Sequence, residues 1–296
     1  MIKVKVPATS ANIGTGFDCL GLALSLHNTY TFEESDEDKF VGFMDEFANK
    51  GNLVYTSMME GFKQMKIDPP KGITISIDES IPISRGLGSS AACIVGGVLG
   101  AAALVGHDLP LQDALTIASS IEGHPDNIAP AIYGGMTVSI MDGERFYSNK
   151  TDIHDGVTFY ALIPPFRLET KAARAALPKE ISLGDAVHNL SRASMLPLIL
   201  ERGQFELLAS CLDDKLHQPY RKGLITGYDD IVEKCKKCGS YGTFISGAGP
   251  TIMTVVSSNN ISFADDINEY FARLENNWRL INLDVDSVGA TVEIID

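Results

Sequence analysis

The chain is 296 residues long, 45% hydrophobic and 21% charged, with a formal net charge of −14 and a pI near 4.8. That length and apolar content support a folded chain with two medium cores and exclude a disordered tract. The acidic balance excludes nucleic acid as a partner: a phosphate backbone would be repelled, and the one lysine cluster (Lys234, Lys236, Lys237) follows Asp229, Asp230 and Glu233 on what reads as a solvated helix face.

At the N-terminus, MIKVKVPATS lacks the apolar stretch of a signal peptide, and no segment reaches the ~18 apolar residues of a membrane span, so a cytoplasmic chain with no membrane partner is expected. Residues 4–6 predict a short strand, and residues 22–32 a second one after a glycine-containing stretch over 8–21. Residues 73–77, ITISI, alternate apolar and hydroxyl side chains and predict a strand that delivers the chain to PISRGLGSSAA at residues 82–92. Within that stretch Gly86 and Gly88 permit positive φ and close approach to an anion, while Ser89 and Ser90 place hydroxyls where a helix begins. The following CIVGGVLGAAALVG reads as a small-residue helix, and its unpaired first N–H groups at the positive end of the dipole suit a polyphosphate. Neither a GxxxxGK[ST] loop nor a GxGxxG strand-turn-helix unit is present, which disfavours the usual nucleotide folds.

Further along, residues 111–121 predict a helix, residues 134–140 a strand, and residues 158–163 a strand ended by Pro164 and Pro165, with a domain boundary near residue 155. Helices are predicted over residues 172–176, 183–200 and 205–212, the middle one kinked or divided at Pro197. Strands over 243–245 and 252–256 flank SGAGP, and residues 264–275 read as an acidic amphipathic helix. The mixture predicts an α+β chain of two domains, residues 1–155 and 156–296. Five cysteines, Cys19, Cys93, Cys211, Cys235 and Cys238, are an odd number that favours free thiols, and the single CxxC of Cys235 and Cys238 lacks the second ligand pair of a structural zinc site.

Three more segments combine small and polar residues beyond the needs of a core: PATSANIGTGFD at 7–18, EGHPDNIAPAIYGG at 122–135 and SGAGPT at 246–251. Each alone fits an ordinary turn, with Asn12 as a turn residue, His124 as a surface histidine and Asp126 as a cap. Together with PISRGLGSSAA, in this order, they resemble the three motifs of the GHMP kinase superfamily, and with TKAARAALP and HQPYRKGL they most resemble the homoserine kinase family. The resemblance implies a ribosomal protein S5 domain 2-like N-terminal domain that binds nucleotide and a ferredoxin-like C-terminal domain that completes the substrate site. It also implies ATP-dependent phosphorylation of the side-chain hydroxyl of L-homoserine to O-phospho-L-homoserine in threonine biosynthesis. Homodimers are common in the family, which makes a second copy a candidate partner.

Position by position, the resemblance implies that Pro82, Ile83, Ser84, Arg85, Gly86, Leu87, Gly88, Ser89, Ser90, Ala91 and Ala92 hold ATP, and that Ser90 and Glu122 hold Mg²⁺ through hard oxygen ligands. Asn12, Asp18, His124, Asn127, Arg174 and Arg221 surround the amino acid, with Asp18 suited to its ammonium and the two guanidinium forks to its carboxylate. SGAGPT would support the phosphate loop. Asn127 stands where related kinases place an aspartate base, so the hydroxyl proton is expected to pass to a phosphate oxygen, with Asp126 the rival base. Thr15 stands where relatives often carry proline, which predicts a less rigid loop. Two alternatives accompany this reading: a GHMP kinase for another small alcohol, and a non-catalytic nucleotide- or metabolite-binding regulator.

Overall fold

The computed structural model describes residues 1–274 and 277–295. The chain opens with two long antiparallel strands, β1 (Ile2–Ala11) and β2 (Leu20–Ser35), whose register shifts once at Pro7, a residue that cannot donate to the ladder. A short β3 (Lys39–Val41) and helix α1 (Leu53–Met65) lead to β4 (Gly72–Asp78), the ITISI strand, which pairs with β2. Then come α2 (Ser89–Leu104), α3 (Leu111–Glu122), α4 (Ile128–Tyr133) and the hairpin of β5 (Met136–Asp142) and β6 (Arg145–Thr151). The glycine spacing of α2 is a packing device: a Cβ on Gly96 or Gly100 would enter the rings of Tyr30 and Phe32 on β2. The small-residue helix therefore lies unusually close to the sheet, and its N-terminus is fixed with it.

The second half begins at β7 (Val157–Ile163), continues through α5 (Thr170–Ala175), α6 (Leu183–Arg202), α7 (Leu208–Cys211), α8 (Gln218–Arg221) and α9 (Tyr228–Lys237), and closes with β8 (Ser240–Ile245), β9 (Ile252–Ser257), α10 (Phe263–Phe271), β10 (Arg279–Leu283) and β11 (Thr291–Ile294). Strands β7 to β10 form an antiparallel sheet in the order β10-β7-β9-β8, with α9 and α10 covering one face, the β-α-β-β-α-β arrangement of a ferredoxin-like unit. Period-two alternation puts Phe159, Ala161, Met253 and Val255 into the main core and Leu162, Ile252 and Val256 into a second core with Phe263, Ile267 and Trp278. The chain then crosses back: β11 pairs with β1, so the first sheet has seven strands, six from the first half and one from the last residues.

Three local expectations change. Pro197 does not divide α6; the helix runs through because Leu196, Ile199 and Leu200 are buried on either side, which outweighs the one lost backbone bond. Residues 205–212 split into a 3₁₀ turn and the short α7, and the acidic helix expected over 264–275 ends at Phe271, with Glu275 outside the described residues. No helix among the described residues is long and apolar enough to cross a membrane. Cys235 lies in the second core, where burial pushes its thiol up to about 12, so the CxxC is packing.

Candidate active site

The β4-to-α2 connection builds one wall of a cavity of about 330 Å³ that opens between the two sheets. Gly86 (φ 76°) and Gly88 (φ 70°) are left-handed, and a Cβ on Gly86 would collide with the Ser246 carbonyl, one on Gly88 with the Thr9 hydroxyl. Gly88 is the N-cap of α2 and no side chain caps the helix, so its first N–H groups face the cavity unshielded. Ser89 and Ser90 are the first helical residues and not caps. Ser90 Oγ donates instead to Glu122 Oε2 at 2.9 Å. Burial pushes the Glu122 carboxyl above its usual range, against opposing help from His124 and Ser90, which marks a desolvated carboxylate suited to a cation.

The SGAGPT turn locks this loop from behind. Ser246 Oγ donates to the Gly86 carbonyl and pairs with Ser10 Oγ at 2.7 Å, while Thr251 N–H donates to the Arg85 carbonyl. Arg85 itself reaches across to the Pro165 carbonyl at 3.0 Å, tying the loop to the end of β7.

At the other end of the cavity, non-glycine residues Asn12 (φ 69°), Ile13 (φ 41°) and Asp18 (φ 56°) adopt left-handed backbone, strain that three hydrogen bonds hold in place. Asn12 Nδ2 donates to the Gly247 carbonyl, Asn12 Oδ1 accepts from Asp18 N–H, and Thr15 Oγ1 donates to the Cys211 carbonyl. Thr15 thus supplies a tether that proline would lack, in place of the looser loop expected. Asp18 receives a bidentate pair from Arg174 at 2.9 and 3.0 Å, which raises the Arg174 pKa further. Arg221 is buried with its guanidinium over Phe17 at 5.2 Å, and desolvation, with Arg174 nearby, lowers its pKa. Between the two ends sit Asn127, whose Oδ1 accepts from Thr9 Oγ1 at 2.7 Å, and the pair His124 Nδ1–Asp126 Oδ1 at 2.6 Å. Burial works against charge on His124, but the Asp126 carboxylate, with Glu122 and Asp18, outweighs it and the imidazole pKa is raised.

The site is thus a bare helix N-terminus at one end and one acid with two arginines at the other. The chain matches the GHMP kinases N terminal domain over residues 52–135 and the GHMP kinases C terminal domain over residues 195–273. Homoserine kinases of Clostridium botulinum (strain 657 / Type Ba4) and Clostridium beijerinckii are each 44% identical to it, over 99% of this chain and 98% of theirs. The crystal structure of homoserine kinase from Cytophaga hutchinsonii superposes with a TM-score of 0.86 at 27% identity, covering 99% of this chain and 97% of that one. The chain belongs to the homoserine kinase family of GHMP kinases. Its two-domain α+β architecture is that family's.

The cavity wall brings together Asn12, Asp18, Ile83, Ser84, Arg85, Gly86, Gly88, Ser89, Ser90, Glu122, His124, Asn127, Arg174 and Arg221. It does not include Pro82, Leu87, Ala91 or Ala92; the last three are buried in the main core and seat the loop on it. Sequence reasoning missed Phe17, which lies beneath both arginines, and Thr9, which holds Asn127, although both fall inside the PATSANIGTGFD segment. It also missed the apolar wall beside the phosphate loop: Phe43, Phe47 and Leu53, which no periodic pattern announces, and Ile77, read only as the end of the ITISI strand.

Proposed function

We propose that this chain transfers the terminal phosphoryl group of ATP to the side-chain hydroxyl of L-homoserine, giving O-phospho-L-homoserine for threonine biosynthesis. The observation that carries the reading is the shared cavity: the Gly86–Ser90 turn and the group Asp18, Arg174 and Arg221 line one continuous wall. A zwitterion with its ammonium toward Asp18 and its carboxylate toward the guanidinium groups matches that group in the sign of charge at each end. When bound, Mg²⁺ would supply charge neutralisation across the phosphates, and Ser90 with Glu122 offers the hard oxygens to hold it.

In this reading the protein's contribution is alignment more than proton transfer. Asn127 Oδ1 is taken by Thr9, so its amide N–H groups are what remain to meet the substrate hydroxyl, and they donate to its oxygen. The hydroxyl proton then leaves with the phosphate oxygens, while Asp126 keeps its oxygen on His124. Residues 1–155 act as the nucleotide half and residues 156–296 complete the amino-acid site through Arg174 and Arg221. A cytoplasmic location agrees with five free thiols, and a second copy as partner agrees with the exposed apolar residues Leu183, Val187 and Leu190 of α6.

A coupled assay for ADP release with ATP, Mg²⁺ and a panel of L-homoserine, mevalonate, galactose and serine tests the reading. Homoserine-selective turnover is expected. Preference for another alcohol, or nucleotide binding with no turnover of any, overturns it.

A further inference from the structure

The imidazole of His217, at the start of HQPYR, is completely buried, yet both of its nitrogens are engaged. Nε2 lies 2.7 Å from the carbonyl oxygen of Gly14, an atom that only accepts, so Nε2 carries the proton and Nδ1 is left with a lone pair. Arg221 Nη1 donates to that lone pair at 3.3 Å, and also to the Gly247 carbonyl at 3.0 Å, while Arg221 Nε donates to the Ala173 carbonyl at 3.3 Å. The ring is itself fixed on both sides. Phe17 packs against it at 5.3 Å, and the turn that presents it is pinned by the Asp214 carboxylate, which accepts from the N–H groups of Leu216, His217 and Gln218 and from Asn189.

The two arginines of the cavity are thus held differently. Arg174 is held by a carboxylate, Asp18, that neutralises it; Arg221 is held by two carbonyls and an imidazole, with no carboxylate within salt-bridge distance among the described residues. A neutral acceptor orients a guanidinium without competing for its charge, so that charge stays available to an anion in the cavity. We propose that His217 is a positioning residue for substrate recognition: keyed to the Gly14 carbonyl, its neutral imidazole holds Arg221 at one orientation as the seat of the substrate carboxylate. Burial, the largest influence, lowers the His217 pKa and keeps the ring neutral.

This inference rests on the amino-acid reading of the site given above. Its test is steady-state kinetics on His217→Phe, which keeps the ring and loses both bonds, and His217→Asn, which is too short to span both partners, with melting temperatures measured alongside. In either variant that folds, the KM for L-homoserine rises about tenfold while kcat and the KM for ATP stay within about twofold, the loss expected for one hydrogen bond to a charged group. An unchanged homoserine KM, or KM values for homoserine and ATP that rise together, overturns the role of His217. Wild-type protein that does not turn over homoserine at all instead overturns the proposed function, so the two failures are told apart.

Discussion

The phosphate end of the cavity is made largely from one unbroken stretch of backbone between β4 and α2, whereas the amino-acid end is made from side chains as distant in sequence as Asp18 and Arg174, 156 residues apart. At the first end the geometry is set by left-handed glycines pressed against Thr9 and Ser246, and there is little room to yield. At the second it is set by guanidinium groups on Phe17, each with its own supports. Damage at the backbone end should therefore abolish chemistry, and damage at the side-chain end should appear as graded loss of substrate affinity.

Gly88→Ala is the strongest way to break that contrast. A Cβ there meets the Thr9 hydroxyl, the donor that holds Asn127, and φ of 70° strains any other residue. Turnover should fall about a thousandfold, the scale of losing a preorganised anion donor, while calorimetric binding of homoserine persists. Loss of homoserine binding to the same degree would show that the two ends are one unit. Next in size is Arg174→Gln, which should raise the KM for homoserine about thirtyfold with the KM for ATP unaltered, since it removes a guanidinium from the carboxylate end of the amino-acid site and the bidentate hold on Asp18. A larger effect on ATP than on homoserine would reverse the assignment of the two ends.

How much of each end is legible in the sequence follows from the same contrast. Gly86, Gly88 and the small-residue helix stand next to one another, so their spacing alone announces an anion site. Even there the serines mislead: a capping hydroxyl must stand one residue before the helix, and Gly88 already occupies that place. At the amino-acid end the charged residues are legible only through family resemblance, because nothing local brings Arg221 over Phe17 or sets His217 between Gly14 and Arg221. The return of β11 to the first sheet is illegible for a similar reason: TVEI is four exposed residues with no period to read, and its partner is the other end of the chain.

Asp126→Asn sharpens the boundary between the ends, where the hydroxyl must lose its proton. With Asn127 directing the hydroxyl and no side chain acting as base, kcat should fall by less than about a hundredfold, below the range of a lost general base. A greater fall with unchanged homoserine affinity would make Asp126 the base.

The smallest effect expected is on the pH dependence of stability, and it isolates the His124–Asp126 pair from catalysis altogether. The folded-state pKa of His124 lies above its ordinary 6.5 because burial, which lowers it, is outweighed by the Asp126 carboxylate at 2.6 Å together with Glu122 and Asp18. A raised pKa means that the folded chain holds the proton more tightly than the unfolded one, so the pair's stabilisation is complete below the ordinary value and is lost as pH rises through the raised one. Melting temperatures should accordingly decline across that alkaline step in the wild type. In Asp126→Asn the nearest carboxylate is gone while burial, Glu122 and Asp18 remain, so the step should move to lower pH and the stabilisation in acid should shrink. An identical profile in the two proteins would mean that the ring is neutral throughout, and that His124 meets the substrate as an acceptor or donor without charge.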